Sequence, residues 1–237
     1  MVHHKQQQAS LSSQSGFTII ESLVAILVVA ILLTAIAPVI VLSVATRVQA
    51  KRIETATDAA KSYIDGVRSG TITAPNSPIT NSTDIAAYAA PTAGSLTCTA
   101  NAYCTSPANN LYCVSLDGNN CTTTSTNNFV IQAIRYNKAT VTSGGTTTNI
   151  VDPTKGYQLG IRVYRADGFS SDGGVLKNAP SKQPTFTGGG GDRKTPLVEI
   201  TTEITKGVTF SDFCDRLRQP SPTPSPSPAP PAQSQCS

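Results

Sequence analysis

The chain of 237 residues carries a formal charge of +4, six cysteines, no tryptophan and only 5% aromatic side chains, which suits one apolar helix and one modest aliphatic domain. So mild an excess of Lys and Arg makes no dedicated nucleic-acid surface, and no nucleic-acid partner is expected. His3 and His4 are the only histidines, so the rest of the chain lacks the side chain that Ser-His-Asp hydrolysis, Cys-His catalysis and His-ligated zinc require. No GxSxG, P-loop or HExxH motif is present, and neither an enzyme nor a cofactor is expected.

Residues 1 to 16 are polar, with Lys5 as their one formal charge. Gly16 to Ala45 then reads GFTIIESLVAILVVAILLTAIAPVIVLSVA, in which Glu21 is the single charge. Roughly 20 apolar residues, rising about 1.5 Å each, cross a hydrocarbon core, so residues 17 to 45 predict a membrane-spanning helix. Glu21 is its anomaly, because a carboxylate in lipid is costly and normally meets a partner, a cavity or the membrane surface. One reading sets Glu21 among the headgroups at the helix start, where the dipole favours an anion; the other gives it a function. Pro38 removes a backbone hydrogen bond and crowds the preceding turn, which predicts a bend or a melted segment from Thr34 to Pro38.

Residues 46 to 70 predict an amphipathic continuation of this helix. Ile53, Ala56, Ala60, Ile64 and Val67 recur at spacings of three and four, Arg52, Lys61 and Asp65 occupy other faces, and Gly70 offers a stop. Residues 71 to 127 read as loops broken by Pro75, Pro78 and Pro91. They contain Cys98, Cys104, Cys113 and Cys121, and a small hairpin is expected in LYCVSLDGNNC, turning at Asp117 and Gly118. The cysteines lack the paired CxxC spacing of a zinc site. Behind a membrane helix, disulfides in an oxidising compartment are the better reading, and six cysteines leave many pairings open.

Residues 128 to 214 hold three strand candidates, Asn128 to Tyr136, Tyr157 to Val163 and Val198 to Ile204, the last two alternating apolar with polar. They predict a small antiparallel sheet with one face for the helix and one for water, an α+β fold. Residues 215 to 237, which contain QPSPTPSPSPAPPAQSQCS and Cys236, predict an extended polyproline tail.

Gly16 before Phe17, Thr18 next, Glu21 four residues after Phe17 and an unbroken apolar run from Leu23 together resemble the type IV prepilin signature. The resemblance implies that residues 1 to 16 are a leader, that a prepilin peptidase cuts between Gly16 and Phe17, that Phe17 is then N-methylated, and that Glu21 recruits each subunit into a filament. Removing Lys5 with the leader takes the formal charge from +4 to +3. The new ammonium at Phe17 lies one turn from Glu21, and a charge inside a low-dielectric filament needs a compensating charge close by. A secretory signal peptide, by contrast, places its apolar core before the cut. Arg47, Lys51 and Arg52 outnumber Lys5, and the positive-inside rule taken alone favours the opposite orientation. The resemblance requires a cytoplasmic leader, hence a single pass through the inner (plasma) membrane with an extracytoplasmic C-terminal domain.

The resemblance also implies a pilin-like fold, with the long N-terminal helix packed on the small sheet and loops tied by disulfides. The expected pairing is sequential: Cys98 with Cys104, Cys113 with Cys121, and Cys214 with Cys236, the last similar to the C-terminal disulfide loop of many pilins. Asp167 and Asp172, at the start of a Gly-rich excursion ending at Gly191, are the calcium candidates, because some related pseudopilins bind calcium; their spacing does not match an EF-hand loop. The segment PVIVLSVATRVQAKRIETATDAAKSYIDGVRSGTI resembles the pseudopilins of filamentous cyanobacteria implicated in hormogonium polysaccharide secretion. That resemblance implies a pseudopilin or minor pilin of a type IV pilus-like or type II secretion-like machine, supporting polysaccharide secretion and gliding motility. Its implied partners are the prepilin peptidase, other pilins or pseudopilins, an inner-membrane assembly platform and membrane lipid. Two rivals are a minor pilin for adhesion or DNA uptake, and a simple membrane-anchored extracytoplasmic binding module, which predicts no cleavage at Gly16.

Overall fold

The computed structural model of the chain describes residues 16, 18–79, 84–107, 110–137, 140–143, 146–172, 174–178, 180–181, 183–184, 191–205 and 207–217. These form two compact units, one ending at Val44 and one beginning at Ala45. Helix α1, Ile19–Ser69, contributes to both. In the first unit its side chains stay exposed, Leu33 at 63% and Val41 at 66% for example, so this stretch has no core of its own. It fits a single-pass membrane anchor in length and composition. The melted segment expected at Thr34 to Pro38 is not formed, because the helix runs unbroken through Pro38. Proline there deletes one backbone bond without ending the helix; in the turn before it the Thr34 hydroxyl donates to the Ile31 carbonyl at 2.9 Å.

In the second unit α1 ends at Ser69 because Gly70 takes φ 82°, a conformation glycine adopts freely, and donates its N–H to the Val67 carbonyl at 3.2 Å. Strands β1 (Leu111–Val114), β2 (Phe129–Tyr136), β5 (Tyr157–Arg165) and β6 (Val198–Ile204) form one antiparallel sheet in the order β1-β2-β5-β6. Strands β3 (Thr140–Ser143) and β4 (Thr146–Asn149) pair separately. Helix α1 lays Ala56, Ala60, Tyr63 and Ile64 against Ile131 and Ala133 of β2 and Leu159, Ile161 and Val163 of β5. Three of the seven buried helix positions are alanines, and small side chains let a helix seat closely on a sheet.

The opposite face of the sheet is not open to water, contrary to the expectation from its polar residues. Val130, Tyr164 and Phe169 form a second cluster with Leu96, Leu111 and the disulfide cysteines, and Ile134 and Tyr136 form a third with Ile85. Arg162, expected at the solvent face, is 0% exposed. It pairs with Glu199 at 2.8 Å and donates to the Tyr88 carbonyl at 2.9 Å, the Ile85 carbonyl at 2.6 Å and Gln132 Oε1 at 3.2 Å. A buried guanidinium is tolerable when its charge is matched and its N–H groups are satisfied, and here it pins residues 85 to 88 onto the sheet. Gly160 opens the room for this, since a Cβ there would stand 2.7 Å from Ile85 Cδ1.

Two further local expectations are corrected. LYCVSLDGNNC is not a hairpin turning at Asp117 and Gly118: Leu111–Val114 pairs with β2, and the backbone of Cys121 pairs with that of Cys98 in an isolated antiparallel β-bridge. The Asp-Gly turn lies in the connection, where Asp117 Oδ1 accepts the Asn119 N–H at 3.0 Å. Where an extended tail was expected from residue 215, helix α2 (Phe210–Leu217) runs on to Leu217.

Candidate functional site

The residues singled out at the N-terminus converge on the start of α1. Gly16 is exposed, and nothing lies within 4 Å of where a Cβ would stand, so the described fold places no demand for glycine there. Phe17 and residues 1 to 15 lie outside the described residues. Thr18 precedes the first helical residue, and its Oγ1 accepts the Glu21 N–H at 3.3 Å. Its carbonyl accepts the Ser22 N–H at 3.2 Å. Thr18 thus caps the helix, and Thr-x-x-Glu is the spacing of a capping box, a second signal within the same four residues that the motif reading passed over. Glu21 is exposed on the first turn and makes no ion pair among the described residues. The position combines a dipole-favoured anion with a side chain open to a neighbour. Beyond it the apolar surface continues without a charge to Val44.

The basic residues after the apolar run differ in their commitments. Lys51 pairs with Glu54 at 3.1 Å, both exposed. Burial, and then the neighbouring Arg165, push the Arg52 guanidinium below its ordinary value. Arg165 itself grips Asp167 with two guanidinium nitrogens.

Among the described residues two disulfides have both partners in view, Cys98 with Cys104 and Cys113 with Cys121. Cys214 is also disulfide-bonded, and Cys236 lies outside the described residues. The Cys98–Cys104 loop is tied to the helix through Tyr103, whose hydroxyl donates to the Thr73 carbonyl at 2.8 Å and meets the Tyr63 hydroxyl at 2.7 Å. With its one proton given to Thr73, Tyr103 must accept from Tyr63. Burial pushes the Tyr63 hydroxyl well above its ordinary value and that of Tyr103 up to about 12.

The two calcium candidates are engaged elsewhere. Asp167 is buried and bound by Arg165, and Asp172 is exposed and pairs with Arg193 at 3.3 Å. Among the described residues no group of three or more His, Cys, Asp or Glu side chains is arranged to hold a metal.

Residues 11–37 match the model of the prokaryotic N-terminal methylation motif, so the chain carries a type IV pilin-like prepilin signal. The match spans the leader end, Gly16, Phe17, Glu21 and most of the apolar run, and such a signal implies processing by a prepilin peptidase and assembly with other pilins. The chain matches no curated protein and no solved structure.

Proposed function

We propose that the mature chain is a pseudopilin or minor pilin of a type IV pilus-like or type II secretion-like machine. In this reading the prepilin peptidase cuts between Gly16 and Phe17, Phe17 is methylated, and the subunit waits in the inner (plasma) membrane with its C-terminal domain outside. The assembly platform then adds it to a short filament with other pilins or pseudopilins. Its work is mechanical, supporting polysaccharide secretion and gliding motility. The observation that carries the reading is the methylation motif over residues 11–37 leading into a helix whose apolar side chains are exposed from Ile19 to Val44. Such a surface requires lipid before assembly and neighbouring helices after it. The export role rests on the resemblance of Pro38 to Ile72 to cyanobacterial pseudopilins.

The deciding substitution is Glu21→Gln. A capping or interfacial carboxylate replaced by a neutral amide inserts at least as readily and leaves function intact. A carboxylate that compensates the Phe17 ammonium in the filament cannot be replaced: the unpaired buried ammonium costs on the order of 3–5 kcal/mol per contact. The variant is therefore expected to insert and be cleaved normally but to crosslink poorly to neighbouring pilins, with export and gliding lost in cells lacking the wild-type copy. Normal crosslinking and normal export would remove the assembly role of Glu21.

A further inference from the structure

From Thr71 to Ile134 the sequence carries only two charged side chains, Asp84 and Asp117, amid Thr, Ser, Asn and Ala. Asp84 caps the turn Ile85–Ala87 by accepting the Ala86 N–H at 3.0 Å. Asp117 is occupied in the Asp-Gly turn. On this side lie two adjoining hollows of about 650 Å³ and about 420 Å³, which share Ser77, Pro78 and Asn110 and so form one groove. Tyr103 and Asn76 line one end, and Tyr88 and Gln132 the other. No charged side chain lines either hollow among the described residues.

The polar groups of the groove divide into spent and unspent. Gln132 is spent, its amide donating to the Ala89 carbonyl and accepting from Arg162. The side-chain amides of Asn76 and Asn110 make no hydrogen bond among the described residues. Asn110 is held at φ 51°, a conformation in which asparagine is over-represented, by its carbonyl accepting the Ala133 N–H at 3.0 Å. The backbone edge beneath is closed as well: Ala133 N–H goes to Asn110 and Arg135 N–H to Ser77 Oγ at 3.4 Å. An added peptide strand would find those donors taken. What remains on offer is a pair of amides, which both donate and accept, flanked by Thr73 and Thr92 between two tyrosine rings; the nearby Arg135 guanidinium is spent on the Ser77 carbonyl at 2.7 Å.

We propose that this groove binds a neutral oligosaccharide chain, whose hydroxyls pair with Asn76 and Asn110 and whose ring faces lie against Tyr103 and Tyr88. Uncharged hydroxyls match amide side chains one for one, and apolar sugar faces match aromatic ones. A uronate or phosphate ligand would find no cation in the lining, and the Arg135 guanidinium beside it is already engaged by the Ser77 carbonyl. The proposal deepens the export reading and rests on it for the natural ligand, a secreted polysaccharide that the subunit would touch as well as push.

The test uses the mature full chain in lipid nanodiscs, with cellohexaose, maltohexaose and xylohexaose as neutral probes and hexagalacturonate as the acidic one, read by saturation-transfer NMR and calorimetry. At least one neutral hexamer is expected to bind, and hexagalacturonate is expected not to. Asn76→Ala removes an exposed amide, and Asn110→Gly removes the other while keeping the positive φ; each is expected to weaken binding roughly 2–10-fold, as loss of one hydrogen bond does. Asn101→Gly, the other positive-φ asparagine among the described residues, at φ 53° and outside the groove, is expected to leave binding unchanged. Silence from all neutral probes at millimolar concentration, equal or tighter binding of hexagalacturonate, or equal loss from Asn101→Gly would overturn the proposal. Export that requires the chain while no glycan binds would sink the groove alone; glycan binding with export untouched by deletion of the chain would sink the export role and leave the groove.

Discussion

The two faces of β5 alternate residue by residue and are covered by opposite means. Leu159, Ile161 and Val163 meet helix α1 in an aliphatic layer, whereas Gly160, Arg162 and Tyr164 meet irregular chain held by an ion pair, hydrogen bonds and disulfides. The first face is stabilised by area removed from water, a non-directional term that tolerates modest changes of shape. The second depends on groups whose partners are specific, and loses much when one of a pair is removed. An alternating strand therefore reports which residues share a face, and leaves open whether the polar face is wet.

The largest expected effect comes from breaking the second face. Glu199→Ala leaves Arg162 charged, 0% exposed and without its counter-charge, which should destabilise the domain by about 3–5 kcal/mol in denaturant unfolding. A loss under about 1 kcal/mol, the value of a surface ion pair, would show that Arg162 reaches water. Next comes the paired change Cys113→Ala with Cys121→Ala, which opens a loop of sequence separation eight and should cost about 2–3 kcal/mol in chain-entropy terms. Equal melting curves for the oxidised and reduced wild type would contradict it. On the helix face, Ala60→Leu forces a larger side chain into a position that is 0% exposed and should cost about 1–3 kcal/mol by overpacking, with the sheet retained by circular dichroism.

The smallest effect is expected on raising pH. Burial pushes the Tyr103 hydroxyl up to about 12 in the folded domain, above its ordinary value of 10, so the folded state holds its proton more tightly than the unfolded chain does. Its contribution is complete below about pH 10 and is lost as pH rises towards about 12. Tyr103→Phe should flatten the fall in stability across that window. An unchanged slope would show that Tyr103 does not carry it.

The helix of the first unit was legible because thirty nearly uncharged residues admit few other structures, β2 because it is a short apolar-rich run, and β5 and β6 because their apolar residues repeat at two. What escaped had its signal in single interactions. Strands β3 and β4, TVTS and TTTN, are mostly threonine with Val141 as their single apolar residue, leaving no apolar alternation to find. Helix α2 is announced only by Thr209 and Asp212, which cap it reciprocally: Thr209 Oγ1 accepts the Asp212 N–H at 3.2 Å and Asp212 Oδ2 accepts the Thr209 N–H at 3.0 Å. Arg162 read as solvent-facing because its partners lie 30, 37 and 74 to 77 residues away, beyond any periodicity. At the candidate site Gly16, Phe17 and Glu21 were legible as a motif, but the cap that Thr18 gives the helix was hidden inside that motif. The groove around Asn76 and Asn110 requires the fold to bring two loops together.

The central claim is that the chain is processed as a prepilin, and the N-terminus of the mature protein tests it most directly. Mass spectrometry of the chain isolated from the membrane fraction should find N-methylated Phe17 as the first residue, and Gly16→Ala should leave a large unprocessed fraction. A mature chain that still begins at Met1, or that begins at unmethylated Phe17 and never joins a filament, would contradict the account.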